Sequence, residues 1–452
     1  MNIPEKFEEL LKEASDRFRQ MERVRIVSHY DADGISSAAI ALAASLREGK
    51  KVHHTIVKQI RPDVVEMLNQ GSYENIIFTD LGSGHLSSVN KVDAENIIVL
   101  DHHNISGDLE RGVHVNPHVA GLEEDTISGA GVTYLFSREV NDKNKDLSAL
   151  AVVGAIGDIQ EENWKMNGLN KGIMKEAVEA GHLEKGEGLR LFGRLSRPVH
   201  KALQYTSRPH IPGVSESESG AVQFLSGLDI DLKNGDGSWK KLVDLGEEEK
   251  KRLASAIIKK RARNGVEEPG EVFGNTYTLH CFNGRFKDAR ELSTAMNACG
   301  RMEKGEMGVL ACIGDDEAME RVESIVKGYK RTLGKLIRSV RNGDVELENK
   351  DGFNLLDGRG SIPENFIGTV CSILQSDISE GVALVGISES ENSKAKVSIR
   401  TPDDFDINVG ETLEEISNEI DIDGGGHESA GGGYVGVEEV EDFLNLLSKR
   451  LS

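Results

Sequence analysis

A chain of 452 residues is long enough for roughly two to four domains with more than one core. With 38% hydrophobic and 29% charged residues, and no apolar run of the roughly 18 residues a membrane span needs, a globular cytoplasmic protein is expected and a membrane protein is excluded. The net charge of −22 argues against a general nucleic-acid coat, and Cys281, Cys299, Cys312 and Cys371 are too widely spaced for a zinc knuckle or disulfide framework, so they read as small core residues.

The amino-terminal stretch from Met1 to Leu11 is amphipathic and charged, unlike a signal sequence. Phe7, Leu10, Leu11, Ala14 and Phe18 recur at helical spacing, which predicts a helix over 5–20. Val24 to Val27 is a short strand that runs into Ser28-His29-Tyr30-Asp31-Ala32-Asp33-Gly34, and the Ala- and Leu-rich stretch from Ile35 to Leu46 continues as a helix. Two carboxylates two residues apart, beside a His and closed by Gly, are a metal-type donor set; the plainer alternative is an acidic turn capping the helix.

Val52 to Val57 is the next strand, followed by a helix from Pro62, with Pro at its first turn. Asn75 to Asp80 is a third strand, ending in an acid before Leu81-Gly82-Ser83-Gly84. The fourth, Asn96 to Asp101, carries four apolar residues, Ile97 to Leu100, straight into Asp101-His102-His103-Asn104. A buried strand delivers polar groups in this way at its carboxyl end, where open α/β sheets place their chemistry. Neighbouring side chains on an extended backbone point to opposite sides, so His102 and His103 are expected to have different tasks. Strands separated by helices with short connections pair in parallel, which gathers these polar ends on one edge of the sheet.

His114-Val115-Asn116-Pro117-His118 is strand-like, and Ser128-Gly129-Ala130-Gly131 opens a helix through Phe136 whose unpaired N–H groups suit an anion. The apolar helix from Leu147 to Ile156 ends at Gly157-Asp158, a further candidate ligand that alone would be an ordinary surface acid. Helices at Gly168–Ala180 and Pro198–Tyr205 complete a first domain over 1–205. Arg208 to Gly237, rich in Ser, Gly, Asp and Pro, is a junction.

An intermediate domain is expected over 206–316, with a strand at Tyr277–Phe282, a helix at Asp288–Ala298 and a strand at Gly308–Gly314. Its basic window, Lys250-Lys251-Arg252 with Lys259-Lys260-Arg261 and Arg263, reads as a solvated helix face. A connecting helix over 317–343 carries Lys327, Lys330, Arg331, Lys335, Arg338 and Arg341, which suit either a phosphate backbone or a solvated linker. The last domain, 344–452, has strands at Val382–Ser388 and Ala395–Thr401, a helix at Leu413–Ile420, and the Gly-rich loop from Gly424 to Gly433 around His427. Glycines such as Gly425 and Gly426 let backbone N–H groups approach an anion closely, while the imidazole adds a donor.

In this order, His29-Tyr30-Asp31-Ala32-Asp33-Gly34, Asp80, Asp101-His102-His103 and Gly157-Asp158 resemble the four motifs of the DHH phosphoesterase superfamily, whose members hydrolyse phosphate esters or anhydrides with paired divalent metals. Within it the chain is most similar to the RecJ-like nucleases of archaea, including the GINS-associated nucleases. Val397-Ser398-Ile399-Arg400 with Gly424 to Gly433 looks like the substrate-binding DHH-associated domain, and Asp288-Ala289-Arg290-Glu291 through Asn297-Ala298-Cys299-Gly300-Arg301 is similar to the archaeal group. Several relatives place a metal-binding His four residues before the first Asp of the first motif; Val27 occupies that position here, and His29 stands two before Asp31.

The resemblance implies an α/β architecture: a parallel-sheet DHH domain with helices on both faces, the intermediate α/β domain and a carboxy-terminal α/β DHH-associated domain. It implies two Mn2+ or Mg2+ ions, which carboxylate and imidazole donors suit. Asp80 would bridge them, with Asp31 and, where its ring reaches, His29 on one ion, and Asp33, His102 and Asp158 on the other. Asp101 would orient an imidazole, His103 would contact the scissile phosphate, and Arg400, Gly425, Gly426 and His427 would hold the strand end. No protein nucleophile is then needed.

The expected activity is a metal-dependent exonuclease on single-stranded DNA or RNA, serving DNA repair or replication, with the GINS-containing replicative helicase complex as a candidate partner. The alternatives are a phosphodiesterase for short oligonucleotides or cyclic dinucleotides, and a replication scaffold that has lost catalysis. The intermediate domain and basic helix favour longer polymer, and retention of every motif carboxylate disfavours a pure scaffold.

Overall fold

The computed structural model describes all residues except 2, 72, 124, 125, 207, 281–285, 376, 377, 379, 380, 391, 392, 403, 404, 406 and 452. The chain forms two compact units, Met1–Glu323 and Ser324–Ser452.

The first unit is built on a five-stranded sheet. After α1 (Glu5–Gln20), which turns Phe7, Leu11, Ala14 and Phe18 inward, come β1 (Arg23–His29), α2 (Ala32–Arg47), β2 (Lys51–Val57), α3 (Pro62–Gln70), β3 (Asn75–Thr79), α4 (Leu86–Val89), β4 (Asn96–Leu100) and β5 (Val113–Val115). All neighbours pair in parallel, in the order β2-β1-β3-β4-β5. The order reverses at β1: the chain steps outward to β2, then crosses back to β3. Ligands of open α/β sheets bind at such a reversal, beyond the carboxyl ends of the strands.

Val27, Phe78 and Val99 pack on one face against Val65 and Leu68 of α3 and Val89 of α4. On the other face α2 lies against α5 (Gly129–Val140) and α6 (Ser148–Gly157), and its Ala and Ser side chains let it be buried along most of its length. Helices thus cover both faces, as expected, and each fully buried Val, Ile or Phe contributes roughly 1.5–3 kcal/mol.

Beyond α6 lie β6 (Glu161–Glu162), β7 (Lys165–Met166), α7 (Gly168–Glu179), β8 (Leu183–Leu189), α8 (Val199–Gln204), α9 (Glu218–Ser226), α10 (Glu247–Arg263), β9 (Phe273–Leu279), α11 (Ala289–Arg301) and α12 (Gly305–Cys312). A second core joins Val199, Leu203, Leu225, Leu253, Ile257 and Val272. A domain boundary at 205/206 would cut through it, and helix α9 forms inside the stretch expected to be a junction. β8 and β9 make a two-stranded antiparallel ribbon that also crosses the boundary.

Of residues 308–314, expected as a strand, 308–312 belong instead to α12, and Ile313 and Gly314 form the turn after it. Gly308 faces Ile35, Met296 and Cys299, and this close approach suits a small-residue helix seated on α2 and α11. A short apolar run fits a buried strand and a buried helix equally well by pattern. Cys299 and Cys312 are buried here, as is Cys371 in the second unit; Cys281 lies outside the described residues.

α13 (Asp316–Arg341) begins in the first unit and continues into the second. The second unit then holds β10 (Leu347–Lys350), β11 (Phe353–Asp357), α14 (Glu364–Leu374), β12 (Ala383–Glu389), β13 (Lys394–Arg400), α15 (Val409–Ser417), β14 (Ile422–Gly426), β15 (Ala430–Gly436) and α16 (Val440–Leu451). Its mixed six-stranded sheet has the order β10-β11-β12-β13-β15-β14, around a core that includes Val385, Val397, Leu413, Val435 and Phe443. The expected Gly-rich loop is therefore a hairpin. β14 and β15 pair from Ile422↔Val435 to Gly426↔Gly431, and only His427 to Ser429 form the turn.

Glycine is required in this hairpin by close approach: a Cβ at Gly424 would meet the Gly432 carbonyl, and one at Gly432 the Val397 carbonyl. Lys327, Lys330, Arg331, Lys335, Arg338 and Arg341 are all exposed, and their spacing puts them along one side of α13. Among the described residues no helix is long and apolar enough to cross a membrane.

Candidate metal centre

The carboxyl ends of β1, β3 and β4 and the end of α6 deliver eight polar side chains, His29, Asp31, Asp33, Asp80, Asp101, His102, His103 and Asp158, to one edge of the first unit. At the end of β1, His29 Nδ1 lies 3.1 Å from Asp31 Oδ2 and 3.6 Å from Asp80 Oδ2. Asp31 caps α2, its Oδ1 accepting from the Gly34 amide at 3.0 Å. Asp33, in the first turn of α2, is buried and accepts from the Gly129 and Ala130 amides at 2.7 and 3.0 Å. The N-terminus of α5, expected to suit an anion, is thus occupied by the chain's own carboxylate.

Asp80 follows β3 in a left-handed conformation, φ 57, which Asp tolerates better than most residues. It is 1% exposed, and among the described residues neither of its carboxylate oxygens has a hydrogen-bond partner. Oδ2 faces His29, while Oδ1 lies 3.5 Å from His102 Nε2. A Cβ at Gly129 would run into the Asp80 carboxylate and one at Gly154 into that of Asp33, so both glycines leave room for charge.

β4 ends at Leu100, and the backbone that carries the two histidines is no longer a strand. Their rings accordingly do not point to opposite sides; the centroids are 4.4 Å apart. Their surroundings still differ. His102 is buried, with Nε2 3.5 Å from Asp158 Oδ2 and 3.9 Å from Asp33 Oδ2. His103 is 44% exposed at its side chain and held through Nδ1 by Asp101 Oδ1 at 2.7 Å. Asp101 is itself pinned by the amides of Ser83 and His102, each at 2.8 Å.

Sequence reasoning missed the supports behind these groups. Ser83 Oγ contacts His114 Nε2 at 2.8 Å and accepts from Asn116 Nδ2 at 2.9 Å. Gln160 donates to Asp158 Oδ2 at 2.9 Å, and its Oε1 accepts from Asn170 Nδ2 at 2.6 Å. From far along the chain, Asn297 Oδ1 accepts from the Ala32 amide at 3.0 Å, between Asp31 and Asp33. No spacing rule links 297 to 32, although Asn297 sits in the stretch that resembles the archaeal relatives.

The electrostatics are those of an acid cluster sharing three imidazoles. Burial, then the charges of Asp80 and Asp158, push the Asp33 carboxyl well above the usual carboxylate range. Burial is also the main reason that Asp158 rises to about 6, with Asp80 and Asp31 adding to it and His102 opposing. Burial pulls His102 down, but Asp80 and Asp158 outweigh it and lift the imidazole to about 9; against the same opposition Asp101 lifts His103 to about 10. His29 likewise rises well above its usual value despite burial, because Asp31 and Asp80 face it. Asp31 and Asp101 fall below the usual range, the histidine charges and backbone N–H groups overcoming their desolvation.

Metal ions of the oxygen-preferring class fit these donors. His29, Asp31 and Asp80 form one group whose ligand atoms lie within 4.8 Å of one another, and Asp33, His102 and Asp158 form a second. Asp80 Oδ1 and Oδ2, His29 Nδ1 and His102 Nε2 are buried without a hydrogen bond among the described residues, as donors awaiting a cation would be.

The four proposed strand-end residues belong to the second unit. Arg400, at the end of β13, pairs in register with Ala430, and its guanidinium donates to Ser372 Oγ at 2.8 Å and to the Gly431 carbonyl at 3.2 Å. His427 is exposed in the adjoining turn, and Gly425 has open space where a side chain would be.

Fold and site together define an open α/β protein with overlapping carboxylate–imidazole groups at the sheet reversal. Three family models match: the DHH family N-terminal domain over residues 23–157, the DHH-CID domain over 191–270 and the DHHA1 domain over 360–452. An uncharacterized protein of Methanocaldococcus jannaschii is 31% identical over 437 residues, covering 94% of this chain and 92% of its own. The chain belongs to the DHH superfamily and is a RecJ-like member of it.

The single-stranded-DNA-specific exonuclease RecJ of Thermus thermophilus is 26% identical over 211 residues, 44% of this chain and 31% of that protein. The structure of RecJ with Mn2+ from that organism superposes with a TM-score of 0.60 at 17% identity, covering 100% of this chain and 55% of the other; this chain spans about half the length of that relative. CDC45 from Entamoeba histolytica gives a TM-score of 0.61 at 11% identity, covering 99% and 98%. Both structural likenesses concern the fold.

Proposed function

We propose that this chain is a metal-dependent phosphodiesterase of the RecJ type, an exonuclease that shortens single-stranded DNA or RNA from an end. The observation that carries this reading is Asp80: a buried carboxylate whose two bare oxygens turn toward two different donor groups. In this reading His29, Asp31 and Asp80 hold one Mn2+ or Mg2+ ion, and Asp80, Asp33, His102 and Asp158 hold a second. Bound together, two such ions supply an activated water and charge stabilisation for in-line displacement at phosphorus.

The chain's own residues then have separate tasks. The Gly129 and Ala130 amides hold Asp33 in place, and Gln160 does the same for Asp158. Asp101 accepts a hydrogen bond from His103 Nδ1, which leaves the other ring nitrogen of that half-exposed imidazole to face a non-bridging phosphate oxygen. Arg400, His427 and the Gly425 and Gly426 backbone hold the strand end, with the exposed basic side of α13 along the phosphates. The donor-bearing sheet edge would thus supply the chemistry and residues 344–452 the substrate grip, with 317–343 as the connection. By the same resemblance, the GINS-containing replicative helicase complex is the proposed partner, to be tested by co-purification.

End-labelled single-stranded DNA and RNA, each blocked at one end or the other, are incubated with Mn2+ and the product ladders compared. Stepwise shortening from one end, abolished by EDTA, is expected. A protein that binds Mn2+ but leaves every strand and a dinucleotide intact would overturn the proposal.

A further inference from the structure

Helix α6 closes in a Schellman turn directly beside the candidate metal centre. The Gln160 amide donates to the Ala155 carbonyl at 2.9 Å and the Ile159 amide to that of Ile156 at 3.3 Å, which puts Ile159 at the left-handed position, φ 59. That position is ordinarily given to Gly, sometimes to Asn, and a β-branched residue there is a genuine outlier. Burial does not repay it: Ile159 is 84% exposed, the most exposed of the large hydrophobic residues described. Its neighbours are the opposite. Asp158 lies 3.5 Å from His102, Gln160 is buried, and Glu161 both donates its amide to the Ile159 carbonyl at 2.8 Å and forms a two-pronged ion pair with Arg290. The turn is therefore pinned on each side, and it presents an aliphatic side chain to solvent one residue from a candidate ligand.

We propose that Ile159 is a substrate contact, packing against the base of a nucleotide that flanks the scissile phosphate. The inference rests on the nuclease reading. If phosphate is held at the carboxylate cluster, the nearest apolar surface of the substrate is the face of a base one sugar away. A branched aliphatic side chain can lie against any base, so the contact is tolerant of sequence.

Ile159→Gly removes the side chain and suits the backbone; Ile159→Leu keeps an apolar group. Both are compared with wild type on a single-stranded oligonucleotide and on the same strand carrying abasic residues at the two terminal positions. Kd is read by fluorescence anisotropy in EDTA, kcat/KM with Mn2+, and Mn2+ affinity and Tm are measured in parallel. For Ile159→Gly, Tm unchanged or raised, Mn2+ affinity unchanged, and affinity and kcat/KM about tenfold lower on the normal strand are expected. On the abasic strand it should equal wild type, and Ile159→Leu should stay within about threefold of wild type on both.

An equal loss on both strands, no loss on either, or weakened Mn2+ binding would overturn the assignment, because the side chain would then act through the cluster or not at all. Failure of the nuclease reading looks different: the wild type binds strands without cutting them, and the Kd ratios still score Ile159. A wild type that neither binds nor cuts overturns both.

Discussion

Asp80→Asn separates the proposed bridge from a merely structural acid. The amide is isosteric and tolerates the left-handed backbone at φ 57, so the fold should persist. The ligand atoms of Asp80, Asp31 and His29 lie within 4.8 Å of one another, and at an effective dielectric of about 20 a carboxylate pair at that distance repels by roughly 3–4 kcal/mol. His29 and His102 offset much of this, which leaves about 1–2 kcal/mol gained by the metal-free protein when the charge is removed. At about 2–4 °C per kcal/mol, differential scanning calorimetry in EDTA should show Tm rising by roughly 2–8 °C. With Mn2+ present the order reverses: loss of a shared carboxylate should cost at least about 4 kcal/mol of transition-state stabilisation, so hydrolysis should fall about a thousandfold or more. Activity within tenfold of wild type, or a metal-free variant that melts lower while binding Mn2+ normally, would refute the bridge.

Mn2+ binding should displace the protons that the facing carboxylates hold on His102, raised to about 9, and on His29, raised well above its usual value, so calorimetry near pH 7.5 in buffers of different ionisation enthalpy should show release of about two protons, with affinity falling as pH drops; buffer-independent heats would remove both imidazoles from the site. Asp158, raised to about 6, must also lose its proton, so the fall should steepen below about pH 6. His427→Ala should raise KM for strands about three- to tenfold, the worth of one hydrogen bond to phosphate, with Mn2+ content and Tm unchanged; equal KM in a folded, metal-loaded variant returns the hairpin to a structural role. Neutralising Lys327, Arg331, Lys335 and Arg338 together should flatten the slope of log affinity against log salt by up to about 0.7 for each phosphate left without its cation, while dinucleotide hydrolysis hardly changes; an unaltered slope makes that side of α13 a solvated surface.

The first four strands, the parallel sheet and the meeting of Asp80 with Asp101 and His102 were legible because each strand is an apolar run with a polar end, and short connections leave the topology little choice. The contact of Asp33 with the α5 amides was half legible: an anion was expected there, but nothing in the pattern said that it would come from 96 residues away in the same chain. Gly308 was misread because a helix buried on small residues has no exposed stripe to betray its period. The boundary expected at 205 followed composition, whereas the core obeys apolar contacts that Val199, Leu225 and Leu253 make across it. Gln160 and Asn170 escaped because a buried amide has no sequence signature; only the carboxylate or carbonyl it serves gives it meaning.

The hydrogen bond from the Ala32 amide to Asn297 spans 265 residues, and the α11 helix that supplies it packs on both α2 and α6. During synthesis all four ligand-bearing motifs therefore leave the ribosome well before the helix that braces two of them. Until α11 has emerged and docked, the turn from Asp31 to Asp33 lacks its outer support, and a nascent chain halted near residue 205 should display α2 and α6 with an uncovered apolar flank. The chain's sensitivity to truncation, to proteases and to chaperone capture should accordingly peak in that interval, even though every residue proposed to hold metal is already present.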